Sequence, residues 1–167
     1  MAISPKLAYV YSHAPVGDTH VETLELRHSQ FDNGSVFITN QLAGWQAKLE
    51  NGSDIFYEFL PFAVIQPQSA HEGNFTLQVA IDNASKTLMD QLERLAERPT
   101  ESIILYYRVY LASDPDTVQN DPPLKLSIES VSATQSVLAF NAGLANLRKQ
   151  PFPALVYDTA RYPGLAR

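Results

Sequence analysis

Apolar and polar residues alternate along most of this chain, which is the pattern expected of half-buried β-strands. In the stretch 74–81, apolar side chains occupy every second position. Further strands are predicted at 20–27, 35–39, 45–49, 55–65, 102–111, 124–129 and 136–141. The Asn-Gly pair at 51–52 predicts a hairpin between two of them. Pro61 predicts a bend or a sheet edge in the strand that contains it.

One segment has a different period. Apolar residues recur at helical spacing at Leu88, Leu92 and Leu95, and this spacing predicts an amphipathic helix over about 85–98. Pro99 follows where such a helix ends.

About seven or eight strands and one helix, joined mainly by turns, indicate a mainly β fold. We expect an antiparallel β-sandwich or barrel with one flanking α-helix (about 85–98) and extended terminal arms. The predicted organisation is a single domain overall, with an N-terminal arm (1–19), a β-sandwich domain that contains the helix (20–150) and an extended C-terminal tail (151–167). The polar loop 113–123 is predicted to be an exposed excursion.

Composition removes several classes of function. The 167 residues include no cysteine, which excludes thiol catalysis, thiolate zinc sites and disulfides. A net charge of −6 disfavours a nucleic-acid partner bound through a broad basic surface. No apolar run approaches the roughly 18 residues of a membrane span, and no secretion signal is visible. We therefore expect a soluble chain that is made in the cytoplasm and does not insert into a membrane.

Residues capable of catalysis occur in arrangements typical of ordinary surfaces. Ser12, His13 and Asp18 supply the residue types of a triad, but sequence neighbours rarely form one, and no Gly-x-Ser-x-Gly motif is present. Asp114 and Asp116 lie in a polar loop and are typical of solvated turns. The four histidines have no metal-ligand spacing, at positions 13, 20, 28 and 71. We expect no catalytic residue, no metal and no cofactor, and a protein that is not an enzyme.

The strand at 102–111 carries Tyr106, Arg108 and Tyr110 on one face. An arginine at the centre of an apolar strand points outward or is paired, because an unpaired buried guanidinium is costly. Two interpretations stay open. The strand is a core strand whose tyrosine face meets the helix, or this face contacts a neighbouring subunit, an environment enriched in Tyr and Arg. The second interpretation adds three aromatic residues of the tail as oligomer contacts: Phe152, Tyr157 and Tyr162.

Seven short motifs follow one another along the chain. They are SHAP at 12–15, ETLELRH at 22–28, LENG at 49–52, an aromatic strand ending in LP at 60–61, VAIDNAS at 79–85, YRVY at 107–110, and a closing segment with PFP at 151–153 and YPGL at 162–165. Together they resemble a family of proteins with a domain of unknown function that long-tailed bacteriophages and prophages encode among their tail-tip genes. The resemblance covers nearly the whole chain.

This resemblance implies a virion protein with a tail-tube-like fold and no catalytic residues. Because tail components of this type form closed rings around a channel, we expect a ring-forming connector between the tail tube and the receptor-binding hub, as a hexamer or, less favoured, a trimer. The expected partners are other tail-tip and tail-tube proteins, with DNA only as passing cargo. The arms 1–19 and 151–167 and the loop 113–123 are expected to become ordered on neighbouring subunits.

Two other hypotheses belong to different classes. The first is a carbohydrate- or receptor-binding β-sandwich module of the tail tip, in which Trp45 and exposed tyrosines stack on a ligand. The second is an enzyme acting on the cell wall, which would depend on Ser12 or His13.

Overall fold

The computed structural model describes residues 3–65, 76–82, 101–134 and 137–144, together with positions 88, 89, 92 and 95. The elements within these ranges are, in chain order, α1 (Pro5–His13), β1 (His20–Arg27), β2 (Ser35–Thr39), β3 (Trp45–Lys48), β4 (Asp54–Phe59), β5 (Phe62–Ile65), β6 (Thr76–Asp82), β7 (Ile104–Leu111), β8 (Leu124–Ala133) and β9 (Val137–Gly143). The four single positions are helical, in agreement with the predicted helix at 85–98, whose other residues lie outside the described ones.

All nine strands belong to one open sheet, in the order β3-β4-β2-β1-β7-β8-β9-β6-β5. Neighbouring strands are antiparallel except β2 and β4, which are parallel. The prediction of a mainly β fold is confirmed. The structure refines it in two respects, because the sheet is mixed rather than purely antiparallel and is not closed into a barrel.

The chain changes its strand partner at Pro61. The strands β4 and β5 form one run of chain that pairs with β2 before this residue and with β6 after it. Proline has no backbone N–H, so a strand ladder cannot continue through it. The side chain of Asn40 spans the gap instead: its Nδ2 donates to the carbonyl oxygen of Phe62 at 3.0 Å, and its Oδ1 accepts the Phe62 N–H at 2.7 Å.

The central strands β1 and β7 are buried on both faces. One face belongs to the main core, which also takes in Leu7 and Val10 of α1 and the helical residues Leu88 and Leu95. The β3–β4 hairpin covers the other face and forms a second cluster with Val21, Ala47, Tyr57 and Tyr110. The interpretation of β7 as a core strand is thus confirmed. Its second part is wrong, because the described helical residues pack on the face of β7 opposite to Tyr110.

The N-terminal arm was expected to be extended, and that prediction is wrong for α1. Ser4 caps this helix by accepting the Leu7 N–H at 3.1 Å, and Pro5 occupies the first turn, where no N–H donor is needed. Ala14 ends it in the left-handed conformation, with its N–H bonded to the Val10 carbonyl. A nine-residue helix is marginal alone, so burial of Leu7 and Val10 in the main core is what stabilises it.

The loop 113–123 is tied to its own chain, and the prediction of an exposed excursion is wrong at Gln119 and Asn120, which are buried. The Asn120 side chain accepts the Val109 N–H at 2.8 Å and donates to the Tyr107 carbonyl at 3.0 Å. It thus continues the hydrogen bonding of β7 where pairing with β8 stops. Ordering on a neighbouring subunit is unnecessary for this part of the loop.

The tail 151–167 lies outside the described residues, so its predicted extended conformation stays a prediction. In the part of the chain that the structure describes, no helix is long and apolar enough to cross a membrane.

Candidate functional site

A buried ion cluster is centred on Arg108, in the middle of β7. Its Nη1 donates to Glu25 Oε2 at 2.7 Å and its Nε to Glu50 Oε1 at 2.7 Å, while its Nη2 lies 3.3 Å from Glu50 Oε2. The side chains of Arg108 and Glu25 are each 5% exposed, and that of Glu50 is 30% exposed. We refer to these three residues as the Arg108 cluster.

Two different parts of the fold supply the carboxylates of the cluster. Glu25 lies on β1 beside β7, one diagonal step from Arg108, whose direct neighbour is Thr23. Ser35 on β2 donates to the second oxygen of Glu25 at 2.9 Å. Glu50 lies between β3 and β4, so its ion pair with Arg108 fastens this hairpin to the central strand β7.

Two tyrosines fasten the same hairpin beside the cluster. The hydroxyl oxygens of Tyr57 on β4 and Tyr110 on β7 are 3.2 Å apart, and the Tyr110 hydroxyl donates to the Lys48 carbonyl at 3.0 Å. Both tyrosines are fully buried. Burial raises the pKa of Tyr57 and of Tyr110, and the nearby Tyr57 raises that of Tyr110 further.

The electrostatics of Arg108 indicate a structural role. Burial by itself lowers the pKa of Arg108, but the hydrogen bond to Glu50, the neighbouring Tyr57 and the contact with Glu25 outweigh it and raise that pKa above its ordinary value. Each of the three guanidinium nitrogens faces a carboxylate. The guanidinium therefore stays charged and is neutralised by two carboxylates of its own chain, so it has little to offer an anionic ligand.

The proposed oligomer contacts on β7 differ in exposure. Tyr110 is 0% and Arg108 4% exposed, so neither presents a usable surface to a neighbour. Tyr106 is half-buried, with its ring centroid 5.2 Å from Arg108 Cζ and 5.8 Å from Lys125 Nζ. Of the three residues on β7, only Tyr106 is exposed enough for its contact with a neighbouring subunit to stay a prediction. The contacts predicted on the tail lie outside the described residues: Phe152, Tyr157 and Tyr162.

The structure brings two of the three triad candidates together. Ser12 Oγ is 2.6 Å from His13 Nδ1 at an exposed position at the end of α1, and it also bonds to the Tyr9 carbonyl at 3.0 Å. Asp18 instead accepts the backbone N–H of Ser113 at 3.3 Å. Asp18 therefore does not orient the imidazole of His13 as the carboxylate of a triad would.

The histidines have structural surroundings. His28 is buried, and its Nδ1 accepts the Gln30 N–H at 3.1 Å while its ring meets Phe31 edge-on. His20 lies beside the Tyr11 ring, and His71 lies outside the described residues. Among the described residues, no group of three or more His, Cys, Asp or Glu side chains could hold a metal ion.

Sequence reasoning missed Glu25 and Glu50 as the partners of Arg108. The available signal was the position of Glu25, which alternation places on the same face as Val21 and Thr23. Glu50 stands next to the Asn-Gly turn at 51–52 and carried no such signal.

Alkaline pH is expected to destabilise the fold through the buried tyrosines. A tyrosine in the unfolded chain ionises near pH ~10, whereas Tyr57 and Tyr110 have raised pKa values in the folded chain. Their stabilising contribution is complete below pH ~10 and is lost as the pH rises toward their folded pKa, at up to about 1.4 kcal/mol per pH unit for each. Urea unfolding between pH 8 and about 11 measures this slope.

The double variant Tyr57→Phe/Tyr110→Phe should show a shallower alkaline slope than the parent. Tyr9→Phe is the matched control, because Tyr9 is 55% exposed, and it should leave the slope unchanged. Equal slopes in the parent and the double variant would contradict a role for these two hydroxyls.

Comparison with curated proteins finds no significant match. Residues 7–157 match the family described as a domain of unknown function, DUF1833. Because this match spans most of the 167 residues, the chain belongs to the DUF1833 family.

Proposed function

We propose that this protein is a non-enzymatic structural component of a bacteriophage tail tip, a ring-forming connector between the tail tube and the receptor-binding hub. Its partners are other tail-tip and tail-tube proteins and further copies of itself, six-fold or three-fold related. It is made in the host cytoplasm and acts in the virion, and DNA passes through the ring without being held.

The observation that carries this proposal is the order of the seven motifs along nearly the whole chain, which resembles proteins encoded among tail-tip genes. The Arg108 cluster is compatible with it, because its charges satisfy one another and fix the β3–β4 hairpin in place. A rigid part that offers shape rather than reactive groups suits an assembly subunit. The net charge of −6 suits a channel from which DNA is repelled.

Deletion of residues 151–167 tests the proposal in phage particles. We expect the shortened chain to accumulate in the infected cell and to be missing from purified virions, because the tail supplies contacts between subunits. The control is a phage with Leu42→Ala, a change at a side chain that is 83% exposed, which should be incorporated normally. Normal incorporation of the shortened chain would contradict the role given to the tail.

A binding module for carbohydrate or another receptor is the second candidate. The indole N–H of Trp45 favours this candidate, because a donor without a partner can bond to a ligand. In the described part of the chain this nitrogen has no hydrogen-bond partner. The same nitrogen is buried, and the ring packs against the second cluster, which leaves little free face for stacking on a sugar. Glycan binding that disappears in a folded Trp45→Ala variant would favour this candidate over the connector.

A further inference from the structure

We propose that the free edge of β8 at 129–133 is a strand-addition site that takes residues 154–160 of a neighbouring copy. This inference rests on the proposed function, since a ring requires contacts between copies. It names a surface and an occupant for one such contact.

The strand β8 leaves its neighbour β7 halfway along its length. The two strands pair from Leu124 to Ser127, and the Ile128 N–H makes one further bond to the Ile103 carbonyl at 2.9 Å. A register shift between Ile128 and Ser130 follows, after which β8 continues to pair with β9. In the described part of the chain, residues 129–133 thus have a strand partner on one side only, and all five are exposed.

This edge lacks the protection found at the two ends of the sheet. At the β3 end, the Lys48 N–H is bonded to the Pro115 carbonyl, and at the β5 end Asn40 bonds both backbone groups of Phe62. Natural sheets also guard free edges with lysine or proline. Residues 129–133 contain neither, and Glu129 carries the only charge. Among the described residues, no strand pairs with this side of 129–133, and we assign this side to a strand from another copy.

An apolar groove of about 410 Å³ runs beside this edge. Residues 129–131 and 133 line it on one side and residues 101–103 on another, and its apolar lining includes Met89, Leu92 and Leu95. In strand addition, backbone hydrogen bonds provide affinity and adjoining pockets take alternate side chains. A groove bounded on two sides favours a single extended strand over a second hairpin.

Basic residues on both sides of residues 154–160 favour this segment as the occupant: Arg148 and Lys149 precede it, Arg161 and Arg167 follow it, and the seven residues themselves carry only the charge of Asp158. Residues 145–167 hold four of the twelve basic residues and one of the eighteen acidic ones, so this segment has a net charge of +3 and the remainder −9. The groove is lined by Glu101 and Glu129 and, among the described residues, by no basic side chain. Complementary charge of this kind steers and orients a partner.

The segment also has the sequence of an added strand. Residues 154–160 read ALVYDTA, in which Val156, Tyr157 and Thr159 favour strands, and they lie between Pro153 and Pro163. The 23 residues after Leu144 give the segment the length to leave its own subunit. Leu155, Tyr157 and Thr159 would share one face, which is the face we assign to the apolar lining.

Disulfide trapping in the full-length chain tests this inference, and the absence of native cysteine makes the product unambiguous. Chains with Val131→Cys are mixed with chains with Tyr157→Cys and oxidised, and the mixed dimer is measured on a non-reducing gel. Ser130→Cys is tested in parallel, because neighbouring strand residues face opposite sides. The control pair replaces Val131→Cys with Leu42→Cys, which is exposed at a distant loop.

We expect at least one of the two β8 positions to yield about tenfold more mixed dimer than the control pair. A yield at both positions equal to the control would overturn the inference. So would a double variant, Val131→Cys/Tyr157→Cys, that forms its disulfide only within one chain. Assembled rings in which the disulfide does not form would overturn this site and leave the proposed function standing. A disulfide that forms between copies of a protein absent from virions would support the site and overturn the proposed function.

Discussion

Replacing Arg108 with methionine is expected to lower the free energy of unfolding by about 3–5 kcal/mol. Methionine retains most of the side chain's apolar stem but removes the charge, so Glu25, whose side chain is 5% exposed, is left buried without its counter-ion. Glu50 loses its partner as well, which loosens the β3–β4 hairpin. Urea unfolding at neutral pH measures the change.

Two variants make this prediction specific. Arg108→Met/Glu25→Leu removes the orphaned charge and should recover most of the loss, since apolar replacement of a buried ion pair is often neutral or stabilising. Lys6→Met breaks the exposed Lys6–Asp114 pair and should cost less than about 1 kcal/mol. If Arg108→Met cost no more than Lys6→Met, the Arg108 cluster would have no structural role.

Asn120→Ala is expected to lower the free energy of unfolding by about 2–6 kcal/mol. The substitution removes the acceptor of the Val109 N–H and the donor to the Tyr107 carbonyl, and each unsatisfied buried group costs about 1–3 kcal/mol. Because Asn120 holds the loop 113–123 against β7, the loop should also become accessible to protease. Urea unfolding and limited proteolysis measure the two effects.

Asn51→Ala is the matched control for Asn120→Ala. Asn51 accepts the Ser53 N–H at an exposed turn, where water can replace the lost bond, so we expect a cost below about 1 kcal/mol. Similar costs for the two asparagines would show that Asn120 does not complete the hydrogen bonding of β7.

The strands could be predicted because alternation is local. The predicted strands at 20–27 and 35–39 coincide with β1 and β2, and the Asn-Gly pair at 51–52 lies in the hairpin between β3 and β4. The helix α1 was missed because Ser4-Pro5 signals a turn as well as a helix start. Within nine residues, only Leu7 and Val10 mark its buried face.

The Arg108 cluster could not be predicted because its pairs are distant in sequence. Arg108 lies 83 residues from Glu25 and 58 from Glu50. Joining them requires the register of β1 against β7 and the folding of the β3–β4 hairpin over the sheet, and neither is encoded in a local pattern. The sequence narrows the choice for Arg108, since an arginine at the centre of an apolar strand either points outward or is paired.

Antibody labelling of tails in the electron microscope tests the central claim most directly. Particles of a phage that encodes this chain are incubated with gold-conjugated antibody to it, and a deletion mutant of the gene supplies the negative control. We predict gold at the distal end of the tail, where the tube meets the receptor-binding hub. Intact particles without label, from cells in which the chain is abundant and monomeric, would contradict the proposal that it is a tail-tip component.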